Sequence, residues 1–203
     1  MRCGAGRSPS TRIQSRAARA AAAYWQAGDY PAAARAVRDW IREEGERPAP
    51  YRTAARIYED MGSLSQALDA AGREVERAPR DGSAWERLGR LRLRRFDRAG
   101  ARSALERAAT IAPTEQGLLD LALVANLSGD VGAEVTACAQ ATVLAPESPV
   151  AWSRYAHALA RTDRVSDCLS ACERALELAD DAEVRDLREQ VLGMAPRELT
   201  EAA

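Results

Sequence analysis

The side chains equipped for chemistry are few, and most of them are cationic. His157 is the only histidine, the cysteines are Cys3, Cys138, Cys168 and Cys172, and all 29 basic residues are arginine. Several stand four apart: Arg52 and Arg56, Arg90 and Arg94, His157 and Arg161. That spacing projects each pair from one face of a helix. Guanidinium forks grip carboxylates bidentately, so this pattern suits recognition of acidic groups more than bond-making. A lone histidine gives little to build a catalytic relay from. No phosphate-cradling glycine loop, dinucleotide fingerprint or H-E-x-x-H motif occurs. The expectation is a non-enzymatic protein with no cofactor and no metal site. Cys168 and Cys172 lie one helical turn apart, a spacing that would suit a metal ion or a redox pair, but further ligands are missing. As small hydrophobes they read better as packing residues, and so does Cys138.

Positioning such side chains falls to helices. Ala, Arg, Leu and Glu dominate the 203 residues, whereas Val, Ile, Phe and Tyr are scarce, which favours helix over strand. An all-α fold is expected. The formal net charge of −1 conceals an asymmetry. Residues 1–110 carry 22 Arg against 14 acids, a net +8, and residues 111–203 carry 7 Arg against 16 acids, a net −9. No apolar run approaches the ~18 residues of a membrane span, and no signal peptide is visible. The Arg- and Ser-containing start, with no acid before Asp29, faintly resembles a transit peptide. A bacterial cytoplasmic protein without membrane attachment is the expectation. Cysteines inside helices of a chain this long do not describe a disulfide framework.

One stretch organises the rest. Trp85, Leu88 and Gly89, then Ala101, Leu105, Ala108 and Pro113, fall on the pattern W-x2-L-G-x2-Y, A-x3-F, Pro, with Leu105 in place of the second aromatic and Arg92 in place of the Tyr. This resembles a tetratricopeptide repeat, a helix–turn–helix unit of about 34 residues. The signature recurs along the chain. Pro79 to Pro113 is a spacing of 34, Pro113 to Pro146 is 33, and Trp152 follows Trp85 by 67. Trp85 and Trp152 match the repeat's packing tryptophan.

The resemblance implies a right-handed α-solenoid of about five repeats, over 11–47, 48–81, 82–114, 115–148 and 149–181, with helix A of each pair lining a concave groove. Residues 1–10 are expected to be disordered, because Gly, Pro and Ser leave little to bury. The first repeat is degenerate, with Trp40 at a small-residue position and Gly45 in place of the terminal Pro. In the third, Phe96 comes two residues earlier than the usual turn aromatic, so a shortened first helix is expected. Residues 182–203 read as a capping helix and short tail, with Val184, Leu187, Val191 and Leu192 on one face.

Groove-facing places of the repeat fall on Trp25 and Gln26, Arg52 and Arg56, Arg87, Arg90 and Arg94, Asn126, and Arg154, His157 and Arg161. Trp25 has the character of an anchor. Some members of this family bind acidic C-terminal peptides through basic and Asn residues in the groove, although their Lys and Asn spacing is not reproduced here. The expectation is a scaffold that binds another protein's peptide segment, acidic or C-terminal, in an Arg-rich groove. The alternative at these positions is arginine that is solvated or paired with Glu59, Asp60, Glu86 and Asp120. Two other functions stay open. The basic half could bind nucleic acid, against which stand the near-neutral total charge and the lack of a base-reading motif. The basic and acidic halves could also pair between copies as a homo-oligomer.

Overall fold

The computed structural model describes residues 15–194. The expected tail over 1–10, the first residues of the expected opening helix and the tail after the cap lie outside the described residues. The described residues form eleven helices and no strand. These are α1 (Arg16–Gln26), α2 (Tyr30–Glu44), α3 (Pro48–Asp60), α4 (Leu64–Arg77), α5 (Gly82–Arg94) and α6 (Arg98–Ile111), then α7 (Glu115–Leu127), α8 (Val131–Leu144), α9 (Pro149–Leu159), α10 (Val165–Leu178) and α11 (Ala182–Met194). This is an all-α solenoid of helix pairs, α1/α2 through α9/α10, with α11 packed after α10. The chain divides into two compact units, residues up to Arg77 and residues from Ala78 onward. No described helix is long and apolar enough to cross a membrane.

Helix starts are set by side chains that satisfy otherwise orphaned backbone N–H groups. Ser15, Thr114 and Ser148 cap α1, α7 and α9, accepting from Ala18, Gly117 and Ala151. Asp29, Asp97 and Asp130 do the same for α2, α6 and α8. The turns within the first four pairs repeat one geometry, which the α9/α10 turn does not share. Backbone N–H groups of Asp29, Ser63, Asp97 and Asp130 reach back to the carbonyls of Tyr24, Tyr58, Arg92 and Ala125 at 2.8–2.9 Å. This six-to-one bond closes a Schellman motif, which needs a left-handed residue just before the donor.

Gly28, Gly62 and Gly129 supply that residue with φ of 75°, 71° and 73°. In the third pair the place belongs to Phe96, at φ 62°. The expected shortening of α5 does not occur: its 13 residues equal those of α3 and α7. Phe96 is therefore the turn's left-handed residue and not a displaced packing aromatic, and it is 87% exposed.

Most of the core is alanine, including Ala33, Ala54, Ala67, Ala101, Ala156 and Ala158, each fully buried. Small side chains let helix axes approach closely. Gly89 takes this further, because a Cβ there would sit 2.6 Å from Leu105 Cγ. The half-buried Trp85 and Trp152 make one repeated bond, their Nε1–H donating to the carbonyls of Pro79 at 3.0 Å and Pro146 at 2.9 Å. The proline that ends one pair is thus tied to the tryptophan that opens the next.

Candidate functional site

Within the second unit, α7 and α9 flank a pocket of about 650 Å³ floored by α8. Residues three and four apart share a helix face. Leu119, Leu123 and Asn126 of α7 and Val150, Arg154 and His157 of α9 reach it for that reason, whereas Arg161 reaches it from the turn after α9, because the helix ends at Leu159 and does not carry the expected His157/Arg161 pair on one face. Four sequence-predicted positions, Asn126, Arg154, His157 and Arg161, therefore converge on one cavity.

Two of the four are held by the protein itself. Buried Glu134 of α8 accepts from Asn126 Nδ2 at 2.9 Å and from Arg161 Nη1 at 2.6 Å. Arg154 and His157 make no ion pair or side-chain hydrogen bond among the described residues. On the α7 side lies Asp120, only 9% exposed. Its Oδ1 accepts from Gln116 Nε2 at 2.9 Å, whereas Oδ2 has no hydrogen bond and lies 3.9 Å from Arg90 Nε. Burial raises the Asp120 pKa, opposed by the Gln116 bond and the charge of Arg90. The pocket's charged side chains are Asp120, Glu134, Arg154 and Arg161, which sum to zero.

Arg87, Arg90 and Arg94 of α5 line none of this cavity. Arg87 and Arg94 have interactions of their own, and Arg90 stands 3.9 Å from Glu86 as well as from Asp120. In the first unit, Arg52 Nε contacts Glu74 Oε1 at 2.7 Å, and the Glu74 side chain is wholly buried. Trp25 is half-buried against α3: its Nε1–H donates to Asp60 Oδ2 at 2.6 Å, and the Arg56 guanidinium lies 4.5 Å from the ring centroid. Such a stacked cation is stabilised by the ring quadrupole. Some groove arginines are thus engaged with carboxylates, while Arg154 is not.

Sequence reasoning missed the apolar wall, Leu119, Leu123 and Val150, and the organising role of Glu134. A signal for the second exists, since Glu134 is the only charged residue of α8. The cysteines pack. Cys138, Cys168 and Cys172 are buried, and desolvation pushes the Cys138 and Cys172 thiols up to about 12. Cys168 also donates to the Ala156 carbonyl.

Helix pairs of this geometry define the class of helical-repeat proteins. Solved structures place the chain within it. The crystal structure of MamA superposes with a TM-score of 0.73 at 18% identity, over 80% of this chain and 89% of that one. YrrB, described as a TPR protein with an unusual peptide-binding site, gives 0.71 at 17%, over 79% and 84%. TTC0263, a thermophilic TPR protein of Thermus thermophilus, gives 0.54 at 24%, over 86% and 96%. The chain has the tetratricopeptide-repeat fold. In sequence, no protein-family profile and no curated protein matches it.

Proposed function

We propose that this chain is a protein-interaction module that captures a peptide segment in the α7–α9 pocket, reading one carboxylate beside an apolar side chain. The observation that carries this reading is the convergence of Arg154 and His157, both without acidic partners, on a wall formed by Leu119, Leu123 and Val150. Leu123 and Val150 are exposed large apolar residues, which a ligand side chain would cover. The carboxylate is a free C-terminus or an acidic side chain; both present the same fork to Arg154. A run of acids is disfavoured, because Asp120 and Glu134 line the same cavity and would repel it. YrrB, of the same fold, is described as having a peptide-binding site, which is consistent with this use of the architecture.

Display libraries of random peptides, one with free C-termini and one with the random segment internal, test the reading on the intact protein. Enriched ligands should join an apolar residue to a neighbouring carboxylate. Arg154→Glu and Leu123→Ser should each weaken them about tenfold or more, a loss of at least about 1.4 kcal/mol, with helical content unchanged. Ligands that bind both variants as tightly as the parent would refute the pocket assignment.

A further inference from the structure

We propose that the Phe96 turn of one copy of this chain docks into an apolar groove between α6, α8 and α9 of a second copy. Neither surface takes part in the peptide pocket. The first is a knob. Phe96 holds a left-handed backbone that its three counterparts assign to glycine, and it does so with its ring 87% exposed. A bulky side chain there is strained, and an exposed ring gains nothing for the monomer. Its surroundings are cationic: residues 90–98 include five arginines and one acid, Asp97. Exposed Arg95, beside Phe96, makes no ion pair among the described residues.

The second is a hole. Ala109, Pro113, Val135, Ala139, Val143 and Tyr155 line a groove of about 780 Å³. Val143 is 82% exposed at its edge. The second helix of every other pair carries exposed charge, such as Arg38 and Asp39 on α2, Asp69 and Arg73 on α4, Glu106 and Arg107 on α6, or Glu173 and Glu177 on α10. On α8 the only charged residue, Glu134, is buried, and what it exposes is Gly132, Thr136, Gln140, Val143 and Leu144. An uncharged outer face on one helix of a chain with 29% charged residues marks a surface meant to be covered.

Charge identifies what covers it. Apart from Ala109, the groove's residues lie in the acidic part of the chain, where residues 111–203 carry a net −9, and the knob lies in the part that carries a net +8. Arg164 at the groove is neutralised by Asp167 at 2.6 Å, while neighbouring Asp163, exposed, makes no ion pair among the described residues. An aromatic knob collared by arginine fits an apolar hole in acidic surroundings, and both belong to this sequence. Because knob and hole are different surfaces, the contact is heterologous, leaving one of each free on a dimer for further growth.

Light scattering and sedimentation across concentration, in low and high salt, test this on the full chain. The parent protein should associate with rising concentration, and more strongly in low salt. Phe96→Gly and Val143→Arg both lie at highly exposed positions, so each should keep its helical content, and each alone should associate at least about tenfold more weakly. Mixed one to one, they should form a heterodimer through the single intact pair of surfaces, the hole of Phe96→Gly and the knob of Val143→Arg. A parent that stays monomeric in both salts overturns the proposal. So does a Phe96→Gly protein that assembles like the parent, or a mixture that remains monomeric.

Discussion

Phe96 holds, at φ 62°, the left-handed position that glycine holds in the three other turns of its kind. As an aromatic two places out of line it suggested a distorted turn and a clipped helix. Aligned with Gly28, Gly62 and Gly129, it is the left-handed residue of an otherwise regular Schellman turn. Phe96→Gly should therefore stabilise the fold by about 1 kcal/mol, since relief of the left-handed cost exceeds the entropy that glycine adds to the unfolded chain. Urea titration measures this, and a loss of stability would mean that the ring packs in the folded monomer. Asp120 is the other residue whose environment sets its behaviour. Its proton is held more tightly in the folded state, because burial disfavours the anion. The folded protein thus binds more protons than the unfolded chain above the ordinary carboxylate range, so the penalty is fully present above the folded pKa and fades as pH falls through it. Asp120→Asn should raise stability near neutral pH and flatten its dependence above the ordinary carboxylate range. A variant that keeps the parent's slope would assign the effect to another group.

Helix boundaries and pairing were largely legible because their causes are local. Asp and Gly at the turns, Pro after the second helices and the recurring Trp all act within a few residues of where they stand. The contents of the pocket were less legible, because they depend on which helices meet. Periodicity put Asn126, Arg154, His157 and Arg161 on groove faces, but only three dimensions bring Glu134 under Asn126 and Arg161 at 2.9 and 2.6 Å. Buried Glu74 holds Arg52 from the paired helix in the same way. Glycines within helices make a sharp contrast at this scale. Gly72 in α4 has nothing within 4 Å of a prospective Cβ, whereas at Gly89 in α5 that atom would meet Leu105 at 2.6 and 2.9 Å. Gly72→Ala should therefore stabilise by roughly 0.5–1 kcal/mol through helix propensity alone. Gly89→Ala gains the same propensity but forces Leu105, itself fully buried, out of place. Overpacking of this kind costs about 1–3 kcal/mol, so the net effect should be destabilising. Chemical denaturation of the two variants side by side decides it, and a stabilised Gly89→Ala would mean that Leu105 can repack freely.

Across the molecule, two candidate sources of stability differ in scale. Ion pairs are numerous, and many of them, such as Arg42–Asp39, Arg73–Asp69 and Arg164–Asp167, join exposed side chains within one helix or at its start. Pairs of that kind contribute about 0–1 kcal/mol each and weaken with salt. The buried core, by contrast, is built from alanine with Leu88, Leu91, Leu105, Leu159 and a few other large side chains, close-packed within each unit. Burial of apolar area is insensitive to screening, and each element of a stacked array is supported mainly by its neighbours. Stability should therefore change by less than about 1 kcal/mol between low salt and about 1 M salt, where the screening length falls to about 3 Å. Urea is the denaturant to use, because guanidinium would itself screen the charges. Marked destabilisation in salt would shift the weight to the more exposed Arg–carboxylate contacts that reach from one element to another, Arg102–Asp130 and Arg174–Glu147. Arg52–Glu74 and Arg161–Glu134, by contrast, rest on acids with side chains no more than 10% exposed. Screening reaches such buried groups poorly, so a salt effect confined to the exposed pairs should remain small even if all of them are lost.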